Sequence, residues 1–259
     1  MRRVAAALNV AVATVLVAGC HTSAEPPAEA ADPPSAPGDA RPVLPRPAVG
    51  ALFLGGTDAH TCTASVVRST TQNLILTAAH CLASGVPVTF VPGFEDEAAP
   101  GDVWTVDAIY LDPRWLTSQD PKADYAFARV SRPVGDPVET VAGQSLALGA
   151  APGRDLGAVT VVGYPLGVGG SPIGCDGVAG MEPEGYPSLH CGGLVDGTSG
   201  APWIQDSTVF GVIGGLDGGG CRDDISYSPP FDAATAALLA RAEDGGPGDT
   251  APNSFGSQC

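Results

Sequence analysis

Leu76-Thr77-Ala78-Ala79-His80-Cys81 (LTAAHC) follows the apolar run Asn73-Leu74-Ile75 and sets one histidine between a pair of small residues and a cysteine. Two readings compete. The histidine packs beside a disulfide, or it is a general base that awaits a nucleophile and a carboxylate further along the chain. One histidine does not choose between them; its partners elsewhere in the chain must.

The chain has 259 residues, of which 44% are hydrophobic and 15% charged, with 35 glycines, 25 prolines and a formal net charge of −16. That length allows one large or two small domains, and the spread of apolar residues allows a sizeable core. The composition points to an exported, loop-rich β protein. The acidic balance excludes a nucleic-acid partner, because phosphates are repelled and no basic patch compensates. From Val49 onward short runs rich in β-branched and aromatic residues alternate with Gly, Pro, Asp and Ser. They are VGALFL (49–54), TCTASVV (61–67), NLILTA (73–78), VPVTFV (86–91), VWTVDAIYL (103–111), YAFARV (125–130), AVTVVGY (158–164), APWIQ (201–205) and TVFGVIGG (208–215). With hairpin-length connections they predict an all-β barrel or sandwich. One segment differs: Asp232 to Glu243 (DAATAALLARAE) carries an N-cap aspartate and helically spaced apolar residues, closed by Gly245 and Gly246, and predicts a C-terminal helix.

The N-terminus has another texture. Met1-Arg2-Arg3 and the apolar run from Val4 to Gly19 match a secretory signal peptide over residues 1–19. The run ends in LVAGC, Leu16 to Cys20, which resembles the lipobox of bacterial lipoproteins. That resemblance implies cleavage before Cys20 and a diacylglycerol on its thiol, enough to hold the protein at a membrane without a spanning helix. An ordinary signal peptide and an uncleaved anchor are the alternatives. Residues 20–48 are rich in Pro, Ala and acids and too poor in bulky apolar residues to offset their ordering entropy. They are expected to form an extended tether, with a propeptide as the alternative. The expected layout is then the tether, a folded domain over 49–243 and a loose tail over 244–259. With Cys20 lipidated, Cys62, Cys81, Cys175, Cys191, Cys221 and Cys259 remain, an even number in an oxidising compartment. A zinc site competes, since His60 lies near Cys62 and His80 beside Cys81, but these spacings match no common CxxC-type pattern. No metal or other cofactor is expected.

Two further stretches bear on His80. In GTSGAPW, Gly197 to Trp203, a serine flanked by glycines sits on a turn able to expose Oγ and aim adjacent N–H groups at one point. The α/β-hydrolase elbow also has Gly-x-Ser-x-Gly, but Ala201 replaces its last glycine and a strand follows instead of a helix. In KADYAFARV, Lys122 to Val130, Asp124 heads an alternating apolar strand. Taken in order, LTAAHC, DYAFARV and GTSGAPW resemble the three signature segments of the trypsin/chymotrypsin-like serine peptidases. The resemblance extends from Val49 to Ala242 and implies an all-β fold of two six-stranded antiparallel barrels with the triad in the cleft. It implies Ser199 as nucleophile, His80 as general base and Asp124 as the group that holds the imidazole, with the N–H groups of Gly197 and Ser199 as oxyanion hole. Gly193 and Leu194, with Ile213, Gly214 and Gly215, would line the primary substrate pocket.

The same resemblance implies a Cys62–Cys81 disulfide. Cys175–Cys191 is suggested by an enclosed loop before the serine and Cys221–Cys259 by what remains, with Cys191–Cys221 an open alternative. VTVVGYP looks closer to bacterial glutamyl-endopeptidase-like and actinobacterial secreted members. The sequence also departs from the family. Thr198 stands where animal digestive enzymes carry aspartate, and Ile213 stands where Glu-cleaving enzymes carry a histidine. His190, near the serine, reads as a loop histidine beside a disulfide. The expected function is a membrane-tethered serine endopeptidase, outside the cytoplasm, acting as a monomer on protein or peptide substrates. A non-catalytic binding lipoprotein on the same scaffold and an esterase are the rivals.

Overall fold

Alternation along the strands sorts side chains between three apolar cores, and those cores define the architecture. The computed structural model describes residues 38–150 and 157–252. The first barrel is built from β1 (Val49–Leu54), β2 (Ala59–Val66), β3 (Leu74–Thr77), β4 (Val88–Pro92), β5 (Trp104–Leu111) and β6 (Ala126–Ser131). Its antiparallel order is β2-β1-β4-β5-β6-β3, and β3 pairs back onto β2 to close the ring. The second set comprises β7 (Gly157–Gly163), β8 (Ile173–Met181), β9 (Pro187–Gly192), β10 (Pro202–Gln205), β11 (Thr208–Val212) and β12 (Ile225–Tyr227). These run β12-β9-β8-β7-β10-β11. The ends meet through Gly214 N–H to Tyr227 O at 3.0 Å and Val212 N–H to Ser228 Oγ at 3.0 Å. The two six-stranded antiparallel barrels expected from the sequence are both present.

In β1, Leu52 points into the first barrel among Ala64, Ile75 and Phe90. Its neighbours Ala51 and Phe53 point the other way, into a core shared with Val162, Ile204 and Val212 of the second barrel. The period of two thus lets one strand serve both cores. Val161, Cys175, Leu189 and Trp203 fill the second barrel. A helix α1 spans Ala233–Asp244; Asp232 Oδ1 accepts from Ala234 N–H at 2.7 Å, and Thr235 Oγ1 accepts the Asp232 N–H at 3.1 Å. This capping box and Gly245 at φ 74° end the helix where the sequence predicts, and Leu238 and Ala242 press into the inter-barrel core.

Both flanks are more ordered than composition suggests. Gly38–Asp39 runs parallel to β9 and Arg41–Pro42 antiparallel to β8, so this part of the expected tether is laid on the second barrel. Backbone hydrogen bonds carry this docking, with Ala40 N–H to Gly192 O at 2.7 Å, and the small Ala40 side chain packs against the second-barrel core. The expected loose tail is likewise tied down as far as it is described: Asp249 Oδ2 accepts Leu111 N–H at 2.7 Å, and Ala251 is buried. Disulfides join Cys62 to Cys81 and Cys175 to Cys191, which rules out Cys191–Cys221. The signal peptide, Cys20 and Cys259 lie outside the described residues. Among the described residues no helix is long and apolar enough to cross a membrane.

Candidate active site

The site is assembled where β3, the start of β6 and the turn before β10 meet. After β3 the chain makes a single 3₁₀ turn, Ala79–Cys81. Ala78 and Ala79 are fully buried, so only small side chains fit here, and the Cys62–Cys81 disulfide ties the turn to β2. His80 is thereby held toward Asp124, which is 1% exposed. Asp124 Oδ1 accepts the His80 backbone N–H at 2.9 Å, and Oδ2 accepts His80 Nδ1–H at 2.8 Å and Gly215 N–H at 2.8 Å. Three donors on one buried carboxylate meet the cost of taking its charge out of water. With Nδ1 as donor, Nε2 of His80 is the nitrogen that carries no proton. Cys62, His80 and Cys81 lie within ligand distance of one another, but the two sulfurs are bonded to each other and offer no thiolate.

Ser199 sits on a turn that two glycines make possible. Gly197 has φ +92° and Gly200 φ +81°. A Cβ at Gly197 would run into Leu166 N, and one at Gly200 into Thr63 O and Thr77 Oγ1, with Ala78 N at 3.0 Å. Gly200 is therefore pressed onto the residues that lead into His80, which brings the serine turn beside the histidine turn. The Ser199 carbonyl accepts Thr63 N–H at 2.8 Å. Thr198, buried where the digestive enzymes carry aspartate, donates Oγ1–H to Val195 O at 2.7 Å and so braces the turn locally. Among the described residues, the N–H groups of Gly197 and Ser199 are spent on no backbone hydrogen bond. Both flank Thr198.

Sequence reasoning missed Thr63. Its hydroxyl donates to Gly197 O at 3.1 Å and accepts Tyr164 N–H at 2.8 Å, while Thr77 Oγ1 donates to Thr63 O at 2.7 Å. The available signal was a polar residue at a core-facing position of β2. Thr63→Val keeps the shape but leaves a buried carbonyl and a buried N–H without partners, at about 1–3 kcal/mol for each unpaired group. We expect kcat to fall roughly 10- to 100-fold with KM within about twofold, because the change loosens the turn that carries Ser199. Thr63→Ser should restore most of kcat. Steady-state kinetics on a small ester substrate measure this, and an unchanged kcat in Thr63→Val removes the role.

Beside Ser199 opens a cavity of about 340 Å³. Leu194 and Ile213 line it as expected, whereas Gly193, Gly214 and Gly215 do not. Gly214 packs instead against Asp124, and Gly215 donates to it. Lining residues not anticipated from sequence include Ser226, Arg222 and Asp223; Asp196, which the sequence places near the rim, lines it too, and Asp217 does not. Arg222 is paired with Asp224 through contacts of 3.0 and 2.9 Å. His190 is exposed on β9 opposite Ile225 and takes no part.

A second buried carboxylate, Asp112, anchors the side chain of Tyr125, the residue after Asp124. Asp112 is 3% exposed; it accepts from Arg114 N–H at 2.8 Å, from the Arg114 guanidinium at 3.0 and 2.8 Å, and from Tyr125 O–H at 2.7 Å. Burial alone would push its carboxyl up, but these hydrogen bonds prevail and hold it at about 2, below the ordinary 3.8. Because the folded value is depressed, the stabilisation is present above the unfolded value and is lost as pH falls from about 4 toward 2. Asp112→Asn should therefore cost about 1–2 kcal/mol at neutral pH, discounted for the partly solvated Arg114, and much less near pH 2. Urea midpoints of both proteins at the two pH values test this; a pH-independent difference would show that the charge of Asp112 is not what counts.

The sequence profile of the trypsin-like peptidase domain matches residues 62–214. No curated protein sequence matches the chain. Similar solved structures include the protease Anisep from Arthrobacter nicotinovorans, 24% identical with a TM-score of 0.68, covering 79% of this chain and 99% of that one. A Glu endopeptidase is 17% identical with a TM-score of 0.62, covering 80% of this chain and 97% of its own. Human heparin binding protein is 15% identical with a TM-score of 0.62, covering 82% and 99%. At these identities the likeness concerns the fold.

Proposed function

Since this chain belongs to the trypsin-like peptidase domain family, we propose that it is a serine endopeptidase acting through His80, Asp124 and Ser199. The observation that supports this reading is the clamp on His80: Asp124 holds both its backbone N–H and Nδ1–H, which leaves Nε2 as the nitrogen to act as base. Ser199 Oγ attacks the scissile carbonyl while Nε2 takes its proton, and the N–H groups of Gly197 and Ser199 receive the developing oxyanion. The imidazolium, stabilised by Asp124, then protonates the leaving amine, and water repeats the sequence on the acyl-enzyme. Lipidation at Cys20 after removal of residues 1–19 would hold the enzyme at the outer face of a bacterial membrane, on a tether that reaches the fold at Gly38.

The fold is shared with a heparin binding protein, so a non-catalytic binding role is the rival reading. A net charge of −16 repels a polyanion such as heparin and disfavours that particular role here. The pocket walls formed by Leu194, Ile213 and Ser226 support an uncharged side chain before the scissile bond, and Arg222, paired with Asp224, leaves no cation for an acidic one; Asp196 and Asp223 also line the cavity, so the library is read for basic residues as well. A peptide library presented to the full chain tests function and specificity together. Cleavage after uncharged residues is expected. Strict cleavage after Arg, Lys or Glu overturns the pocket assignment, and ester hydrolysis without peptide cleavage overturns the endopeptidase.

A further inference from the structure

The described cations of this acidic chain are nearly all committed. Arg41, Arg114, Arg129, Arg222 and Arg241 each face an aspartate, and Lys122 and Arg132 lie over Tyr186 and Trp104. Among the described residues, Arg46 and Arg68 are the exceptions, with no carboxylate, carbonyl or ring against either guanidinium. With 28 acidic residues against 12 basic ones, an arginine without a carboxylate is unexpected. Both exceptions line the same cavity, of about 570 Å³. It opens where the lead into β1, the connection between the barrels and the β10–β11 hairpin meet, and none of the triad or pocket residues lines it.

The other walls suit an anion with a small organic body. Gln72, Gln144 and Ser207 supply neutral polar groups, and Val49, Leu146 and Ile204 an apolar base. Two carboxylates also line the cavity, Asp206 on the β10–β11 hairpin and Glu139, whose Oε1 accepts Ser145 Oγ–H at 2.8 Å and Oε2 accepts Ser69 N–H at 3.3 Å. Among the described residues neither carboxylate forms an ion pair with Arg46 or Arg68. A volume of this size falls in the range of small-molecule sites, roughly 300–1,000 Å³. A guanidinium presents its donors as a planar fork that fits two oxygens of a carboxylate or phosphate.

We propose that this cavity binds a small anion with a carboxylate or phosphate head, held by Arg46 and Arg68. Both barrels contribute walls, so occupancy also raises the melting temperature. The test is calorimetric titration of the full chain carrying Ser199→Ala, to prevent self-cleavage, with citrate in one arm and inorganic phosphate in the other. Saturable binding of either with Kd on the order of 1 mM or tighter is expected, and the stronger arm identifies the head group. Arg46→Gln/Arg68→Gln should weaken it at least about tenfold, and Arg46→Lys/Arg68→Lys should weaken it too because the fork is lost. Arg41→Gln should leave it unchanged. Arg68 is exposed, so Arg68→Gln alone keeps the fold and should still weaken binding several-fold. No saturable binding in either arm, or binding indifferent to Arg68→Gln and to the double substitution, overturns the proposal.

Discussion

Ser199→Ala and His80→Ala are each expected to remove about four or more orders of magnitude of peptide hydrolysis and to leave the fold intact. Neither side chain carries the structure. The serine turn is held by backbone bonds of Ser199 O, Gly200 N and Ala201 N, all of which survive truncation to alanine. The histidine turn is held by the Cys62–Cys81 disulfide and by the backbone N–H of residue 80 on Asp124, which also survive. The two residues act as one unit, so the double variant should lose little more than either single variant. A residual rate above water should persist, because the Gly197 and Ser199 N–H donors belong to the backbone. A fluorophosphonate probe should label Ser199 in the native chain and label neither variant. Turnover of a cleaved peptide, with thermal melting as the control, measures the effect. Most activity retained by a folded Ser199→Ala protein would defeat the assignment outright.

Legibility in the sequence follows how locally each feature is determined. The first barrel was readable because VGALFL, TCTASVV and their successors alternate, and the alternation divides them between two cores. In the second barrel β8, β9 and β12 were not. IGCDGVAGM lacks bulk because its neighbours supply it: the Gly174 position faces Val43 and the Gly177 position faces Leu189. PSLHCG starts with proline, and ISY is only three residues long. Residues 38–42 dock by main-chain bonds, which leave no hydrophobic pattern to read. The site divides in the same way. His80, Asp124 and Ser199 each lie in a recognisable local frame, whereas Thr63 reaches Gly197 across 134 residues and Gly215 serves through its backbone N–H. The pocket was half legible, since Leu194 and Ile213 line it, but Ser226 and Arg222 arrive from a strand and loop without a readable signal.

Asp124→Asn should cost about four orders of magnitude in kcat at neutral pH with little change in KM, and the reason lies in counting donors. Each atom facing the carboxylate is a donor: His80 N–H at Oδ1, and His80 Nδ1–H with Gly215 N–H at Oδ2. An amide has one oxygen and one NH₂ group, so one side of the clamp must oppose donor to donor. If the NH₂ takes the Oδ1 place, it faces the backbone N–H, and the turn that positions His80 is pushed away. If it takes the Oδ2 place, the imidazole is driven to the other tautomer, with Nδ1 accepting and the proton on Nε2. That nitrogen can no longer take the proton of Ser199, and Gly215 N–H loses its acceptor in a buried setting. Each arrangement orphans one backbone N–H, that of His80 or that of Gly215, and in both the neutral amide withdraws the charge that stabilises the imidazolium. The variant should thus fold, bind substrate and fail at acylation. Pre-steady-state kinetics on an ester substrate should show the acyl-enzyme burst slowed in step with kcat. A normal burst rate in a folded Asp124→Asn protein would show that the carboxylate does not set the tautomer of His80.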